Sequence, residues 1–306
     1  YPRRVRLTKS RTVNGVRRCV ERKGAGIFSS CFEDTIKPNI LKDYTPKLVV
    51  NSLITADEPI SIEITTSVAA IDNTFPNLVK DAKITINDGS QEIIPVYSDV
   101  TETYSSPQTF AEGTRLEVRI THPDYPNVIS TVFIPADVNS VGLLTVDGGI
   151  DTGGLVGDLI QVSFADPPGI QDNYYRLKVS YFSETVGVWV PFIFPKSDPS
   201  LAEYNSFALD DLSILFNDEL FNGQNKTFST VAPSGIVSRN TGDKFRVEFT
   251  SISKDYFEYY RSLQRATDAK DLTFQGSYNN AVVIHTNVLN GLGILGTENG
   301  KAIVLK

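Results

Sequence analysis

Asp81-Ala82-Lys83-Ile84-Thr85-Ile86-Asn87-Asp88-Gly89 decides the fold class. Ala82, Ile84 and Ile86 alternate with the polar Lys83 and Thr85, the period-two pattern of a strand with one face buried. The run stops at Asn87-Asp88-Gly89, where glycine supplies the positive φ that a hairpin turn requires. Upstream, Ser61-Ile62-Glu63-Ile64-Thr65-Thr66-Ser67-Val68 alternates in the same way, and Leu48-Val49-Val50-Asn51-Ser52-Leu53-Ile54 is apolar and β-branched. Downstream, residues 93–97, 115–121 and 128–134 continue the series, with turn residues about every ten positions, as in β-sandwiches. Residues 46–137 are therefore expected to form an immunoglobulin-like β-sandwich.

The second half, residues 138–306, reads as a further β-rich domain. Strands are expected at residues 160–164, 174–182, 186–194, 228–232, 245–252, 281–285 and 302–305. One amphipathic helix is expected over about 253–267. Tyr256, Phe257, Tyr260 and Leu263 share one face there, Lys254, Asp255, Glu258 and Arg261 lie elsewhere, and Ser253 stands at the N-cap position. A short helical turn is expected at residues 210–216. The chain as a whole is read as mainly β.

Charge is distributed unevenly. Residues 1–30 carry nine Lys or Arg and one acid, Glu21, which leaves residues 31–306 at −15 of the chain's total of −7. A body so acidic repels phosphate backbones, so nucleic acid is not an expected partner. The basic leader is read as lacking regular structure and as absent from the mature protein. Both cysteines, Cys19 and Cys31, lie in or beside that leader, so the body has neither a disulfide nor a thiolate metal site. Residues 31–45 are polar, contain Pro38, and read as an extended tether. Phe28-Ser29-Ser30-Cys31 followed by Glu33 and Asp34 is the pattern of a bacterial lipidation site. The apolar segment that should precede the cysteine is missing, because arginines occupy its place.

Motifs with possible chemistry meet plainer readings. Trp189, near Phe182 and Phe192, is a candidate sugar-stacking platform or a sheet face. Asp166, Tyr175 and Arg176 are candidate ligand contacts, set against a turn at Pro167-Pro168-Gly169 followed by a core strand. Gly291-Leu292-Gly293-Ile294-Leu295-Gly296 satisfies G-x-G-x-x-G, but no helix pattern follows it, and a tight turn between strands is expected instead. The acids Asp147, Asp151, Asp210, Asp211, Asp218 and Glu219 lack EF-hand spacing and read as solvated loops, not as a Ca²⁺ site. His122 and His285 are the only histidines, and no nucleophile elbow or zinc-protease motif accompanies them. No catalytic residue, metal or cofactor is expected, and the chain is not read as an enzyme. A hydrolase built on distant carboxylates is kept as a third reading, behind a stand-alone carbohydrate- or peptide-binding module.

Several segments, taken in order, carry a family resemblance. Pro46-Lys47-Leu48-Val49-Val50-Asn51-Ser52-Leu53-Ile54-Thr55 and Asp81 to Asp88 resemble the opening of the DUF4249 lipoproteins of Bacteroidetes. Phe164-Ala165-Asp166-Pro167-Pro168-Gly169 with Asn173-Tyr174-Tyr175-Arg176, then Asn217-Asp218-Glu219-Leu220-Phe221-Asn222-Gly223, resemble its middle signatures. Asn287 to Gly296 resembles its close. The resemblance implies a surface-exposed outer-membrane lipoprotein, anchored through Cys31 with Glu33 and Asp34 as its export signal. It also implies a SusC-like TonB-dependent receptor as partner and a role in nutrient capture or uptake.

Overall fold

The computed structural model describes residues 6–12, 15–21, 30–33, 44–69, 74–151, 153–169, 172–192, 198–202, 212–233, 235–236, 244–269 and 282–306. Tyr1–Pro46 with Val68–Phe75 make one unit, and Lys47–Ser67 with Pro76–Lys306 make another. In the first, β1 (Arg6–Thr12), β2 (Gly15–Glu21) and β3 (Ser30–Glu33) form an antiparallel sheet in which Cys19 stands opposite Cys31. The leader, expected to lack regular structure, thus holds strands. Its arginines mask the local signal, which is limited to the Thr and Val residues among them. Cys31 and Glu33 lie on β3. Asp34 and most of the expected tether lie outside the described residues.

In the second unit the elements in order are β4 (Leu48–Thr55), β5 (Ile60–Thr66), β6 (Lys83–Asn87), β7 (Glu92–Ile93), β8 (Val96–Ser98), β9 (Thr103–Ser106), β10 (Arg115–His122) and β11 (Tyr125–Phe133). There follow β12 (Val141–Ile150), β13 (Val156–Ala165), β14 (Tyr174–Ser183), β15 (Val188–Phe192), α1 (Pro199–Ala202), β16 (Ile214–Asn217), β17 (Asn225–Pro233), β18 (Phe245–Ile252), α2 (Lys254–Asp268) and β19 (Leu292–Leu305). The fold is mainly β. The backbone of the unit is one sheet ordered β15-β14-β18-β19-β4-β5-β9-β8, with β16 also on β14.

Two smaller sheets cover this long one. Side chains of β4, β5 and β9 form a core with Ile84, Ile86, Leu116, Val118, Ile120 and Val132 of the sheet β11-β10-β6-β7. A second core joins Ile160, Val162, Phe164 and Phe228 of the sheet β12-β13-β17 to Tyr175, Leu177, Phe245 and Phe249 of β14 and β18. Alternation places these residues: β5 is buried at Ile60, Ile62, Ile64 and Thr66, while Ser61 and Glu63 are exposed.

The long sheet crosses the boundary expected at residues 137/138. β19 pairs parallel with β4, Leu295 opposite Ser52, and antiparallel with β18. Val288 and Leu295 accordingly belong to the first core, far from its other members in sequence. Several segments differ from the sequence reading: residues 282–285, expected as part of a strand, are not strand, and β12 answers to no expected strand. The helical turn expected at 210–216 is replaced over Ile214–Asn217 by strand β16, whose Ile214, Leu215 and Phe216 are all buried. With apolar residues filling both faces, period two leaves no trace there. The glycine-rich segment expected to be a turn is the first half of β19; only Asn290 and Gly291 turn, and the chain is extended from Leu292.

Glycine is required at two places in β19. A Cβ on Gly293, where φ is +93°, would sit 2.2 Å from the Val50 carbonyl oxygen, and one on Gly296 would sit 2.3 Å from Tyr256 Cδ2. The G-x-G-x-x-G spacing therefore serves close strand and helix packing. α2 lays Tyr256 and Phe257 on the outer face of the long sheet against Leu215 and Ile252. Ser253 has the extended conformation of an N-cap (φ −69°, ψ 149°) but makes no side-chain capping bond.

Candidate functional site

Thr297 explains how two walls of a cleft are held together. It is fully buried in β19, and its hydroxyl donates to the Phe133 carbonyl at the end of β11 (2.7 Å). Its backbone N–H donates to Ser253 Oγ (3.2 Å), and its carbonyl accepts from the Ser253 N–H (2.9 Å). One residue thus ties the end of β11 to the start of α2. Asn299 adds a second tie, donating to the Pro135 carbonyl at 3.0 Å.

Above these ties lies a cleft of about 810 Å³, within the range of small-ligand sites. One wall comes from Arg115 on β10 and from Thr131, Phe133 and the segment after β11. The other comes from Asp172, Asn173 and Tyr174 at the start of β14 and from Ile252 to Asp255 leading into α2. Phe133, one of the lining residues, stays 56 % exposed. Neither Arg115 nor Lys254 has an ion-pair partner among the described residues. Asp255 is engaged, hydrogen-bonded to His285 Nε2 at 2.8 Å. The Tyr174 hydroxyl is pushed up to about 12, mainly by burial and then by the negative charges of Asp172, Glu258 and Asp218. It is therefore a neutral hydrogen-bonding group at any physiological pH.

Beside the cleft a buried polar network fixes the loop that forms part of its rim. The Tyr175 hydroxyl donates to Asp166, whose other oxygen accepts from the Gly223 N–H at 2.7 Å. Asp218 accepts from the Asn173 backbone and side-chain N–H groups at 3.0 and 3.1 Å. Burial raises the Asp218 carboxyl above its ordinary range, while those same bonds pull the other way. It also raises the Tyr175 phenol strongly, reinforced by its bond to Asp166. Tyr175 has no exposed surface and Asp166 is 4 % exposed, so both candidate contacts are occupied inside the protein.

The other candidates are also dispersed. Arg176 pairs with buried Glu298 at 2.7 Å, beneath Thr250, which donates to the same carboxylate oxygen at 3.2 Å. Trp189 lies on the edge strand β15, with the Arg246 guanidinium 5.3 Å over its ring and Phe182 edge-on. Asp151 caps its own loop by accepting from the Gly153 and Leu155 N–H groups. His122 binds Asp81 through Nε2 and accepts from the Asp124 N–H at Nδ1. Among the described residues, no three His, Cys, Asp or Glu side chains group as metal ligands would.

A family model described as a domain of unknown function (DUF4249) matches residues 33–301. The chain belongs to the DUF4249 family. No curated protein matches it. The segments through which the chain resembles DUF4249 proteins build scaffold here: Asp166, Tyr175, Asp218 and Gly223 meet in the buried network, and Asn287 exchanges hydrogen bonds with the Leu295 backbone. In the sequence Arg115 and Phe133 stand only as members of expected strands and Lys254 as a residue of the expected helix, none of them as a site residue. Each reads locally as an ordinary solvated side chain, and only the fold brings them together.

Proposed function

We propose that this DUF4249 protein is a lipid-anchored, surface-exposed outer-membrane accessory protein. In this reading it works beside a SusC-like TonB-dependent receptor in nutrient capture or uptake. No helix among the described residues is long and apolar enough to cross a membrane. Attachment would go through acyl chains on Cys31, at about 0.8 kcal/mol per buried CH₂.

The observation supporting a protein partner is the β12–β13 hairpin. β12 pairs with β13 and has no strand on its other side among the described residues. Val141, Leu143 and Ile150 on it are 55–68 % exposed, beside exposed Thr145 and Asp147, and Leu155 and Val156 continue the apolar surface across the hairpin. Monomeric proteins blunt such edges with charge, because an open apolar strand invites association. Here the strand carries a single charge, Asp147, and no lysine, which suits a surface covered in the working assembly.

The test is co-purification from detergent-solubilised outer membranes. Wild-type protein is expected to bring the receptor with it. Leu143→Arg and Ile150→Glu, both at exposed positions, are expected to lose the receptor while keeping the wild-type melting temperature. Recovery of the receptor with both variants at wild-type yield would remove the hairpin from the contact.

A further inference from the structure

We infer that the cleft between β10–β11 and the start of α2 binds a short peptide with free, charged ends and an apolar side chain. The inference names a cargo class for nutrient capture, but binding of this kind needs no receptor and is measured on the isolated chain. Failure here and failure of receptor docking are therefore separate results.

Charge is the first argument. Residues 31–306 carry −15, so a basic side chain on this body has carboxylates in plenty to pair with. Arg115 and Lys254 nonetheless line one cleft, and neither pairs with an acid among the described residues. Asp172 lines the same cleft, and its carboxylate accepts no hydrogen bond among the described residues. A ligand that buried these three groups without answering their charges would pay their desolvation. A purely anionic ligand such as phosphate satisfies the cations and meets Asp172, Asp137 and Asp255 as repulsion. A neutral sugar hydrogen-bonds to these groups through its hydroxyls but brings no opposite charge to any of them. A zwitterion answers both signs, its carboxylate pairing with Arg115 or Lys254 and its ammonium with Asp172.

Shape is the second argument. Phe133, 56 % exposed, and Val138 are apolar lining residues, and Tyr174 offers a neutral hydroxyl. That combination suits one apolar or aromatic side chain held between two charged ends. The walls are fixed in advance by Thr297, so little ordering accompanies binding.

The probe is the tripeptide Gly-Phe-Gly, titrated calorimetrically into the chain, with its N-acetylated, C-amidated form, inorganic phosphate and maltotriose in parallel. Saturable binding of the free tripeptide is expected. Arg115→Gln, Lys254→Gln and capping of the termini are each expected to weaken it about tenfold or more, the scale of one charge-assisted hydrogen bond. Both substituted side chains are exposed, so the variants should melt as the wild type does. The assignment is overturned by absence of saturable tripeptide binding. It is equally overturned by equal affinity for the capped form, by indifference to both substitutions, or by preferential binding of phosphate or maltotriose.

Discussion

Glu298 is the residue on which four strands of the long sheet converge. From β19 its carboxylate accepts from Thr55 of β4 (3.3 Å), Arg176 of β14 (2.7 Å) and Thr250 of β18 (3.2 Å). Both members of the ion pair are nearly buried, with side chains 13 % and 10 % exposed. A pair in this position adds little over a well-packed apolar pair, but breaking it strands a charge. Arg176→Met is therefore expected to cost about 3 kcal/mol in urea unfolding. Arg176→Met combined with Glu298→Gln is expected to recover much of that loss, because no net charge then remains buried. Additive costs in the double variant would show that the two side chains act independently. Arg176 had been read as a candidate ligand contact, and nothing in its local sequence distinguishes that role from this one. Its partner lies more than a hundred positions away, and a single sequence holds no record of such pairing.

At the scale of elements, legibility follows the number of faces a segment buries. β5, β6 and β10 bury one face each, so their alternation could be read directly, as could the helix of which α2 (Lys254–Asp268) is the observed form. β16 buries both faces, so its sequence lacks alternation and reads as a helical turn. β19 was broken up by its own glycines, which look like turn residues until the helix and strand they accommodate are in view. The fit of α2 on β19 is testable. Gly296 lies under the Tyr256 ring, so Gly296→Ala forces ring or helix to move, at a cost of about 1–3 kcal/mol typical of overpacking. Tyr256→Leu alone loses ring contacts. The double variant is expected to be more stable than the sum of the two single losses, since the smaller side chain makes room for the methyl group. Thermal unfolding of the four proteins completes the cycle, and strict additivity would mean that the helix and the glycine do not meet as described.

At the scale of the molecule, the question is whether residues 46–137 and 138–306 behave as separate bodies, as turn spacing and strand count in the sequence suggest. The sheet order gives reason to expect otherwise. β19 lies between β4 and β18, so its removal would open the middle of the long sheet and withdraw Leu295 from the first core. Thr297 and Asn299 bond from β19 to Phe133 and Pro135 on the other side of the boundary. Ile129 and Leu289 also exchange backbone hydrogen bonds at 3.3 and 2.9 Å. Separating the halves would expose this apolar surface and strand those polar groups, while cutting the chain between them disturbs little, because Asn139 is exposed. A protease site inserted beside Asn139 separates the two causes of cohesion, covalent linkage and contact. After cleavage the two pieces are expected to co-elute as one species and to unfold in a single calorimetric transition, since the contacts that hold β4 to β19 do not pass through the cut. Pieces that part on size-exclusion chromatography, each with its own melting transition, would show that the sequence-level boundary is also a physical one and that the parallel pairing of β4 with β19 contributes little to cohesion.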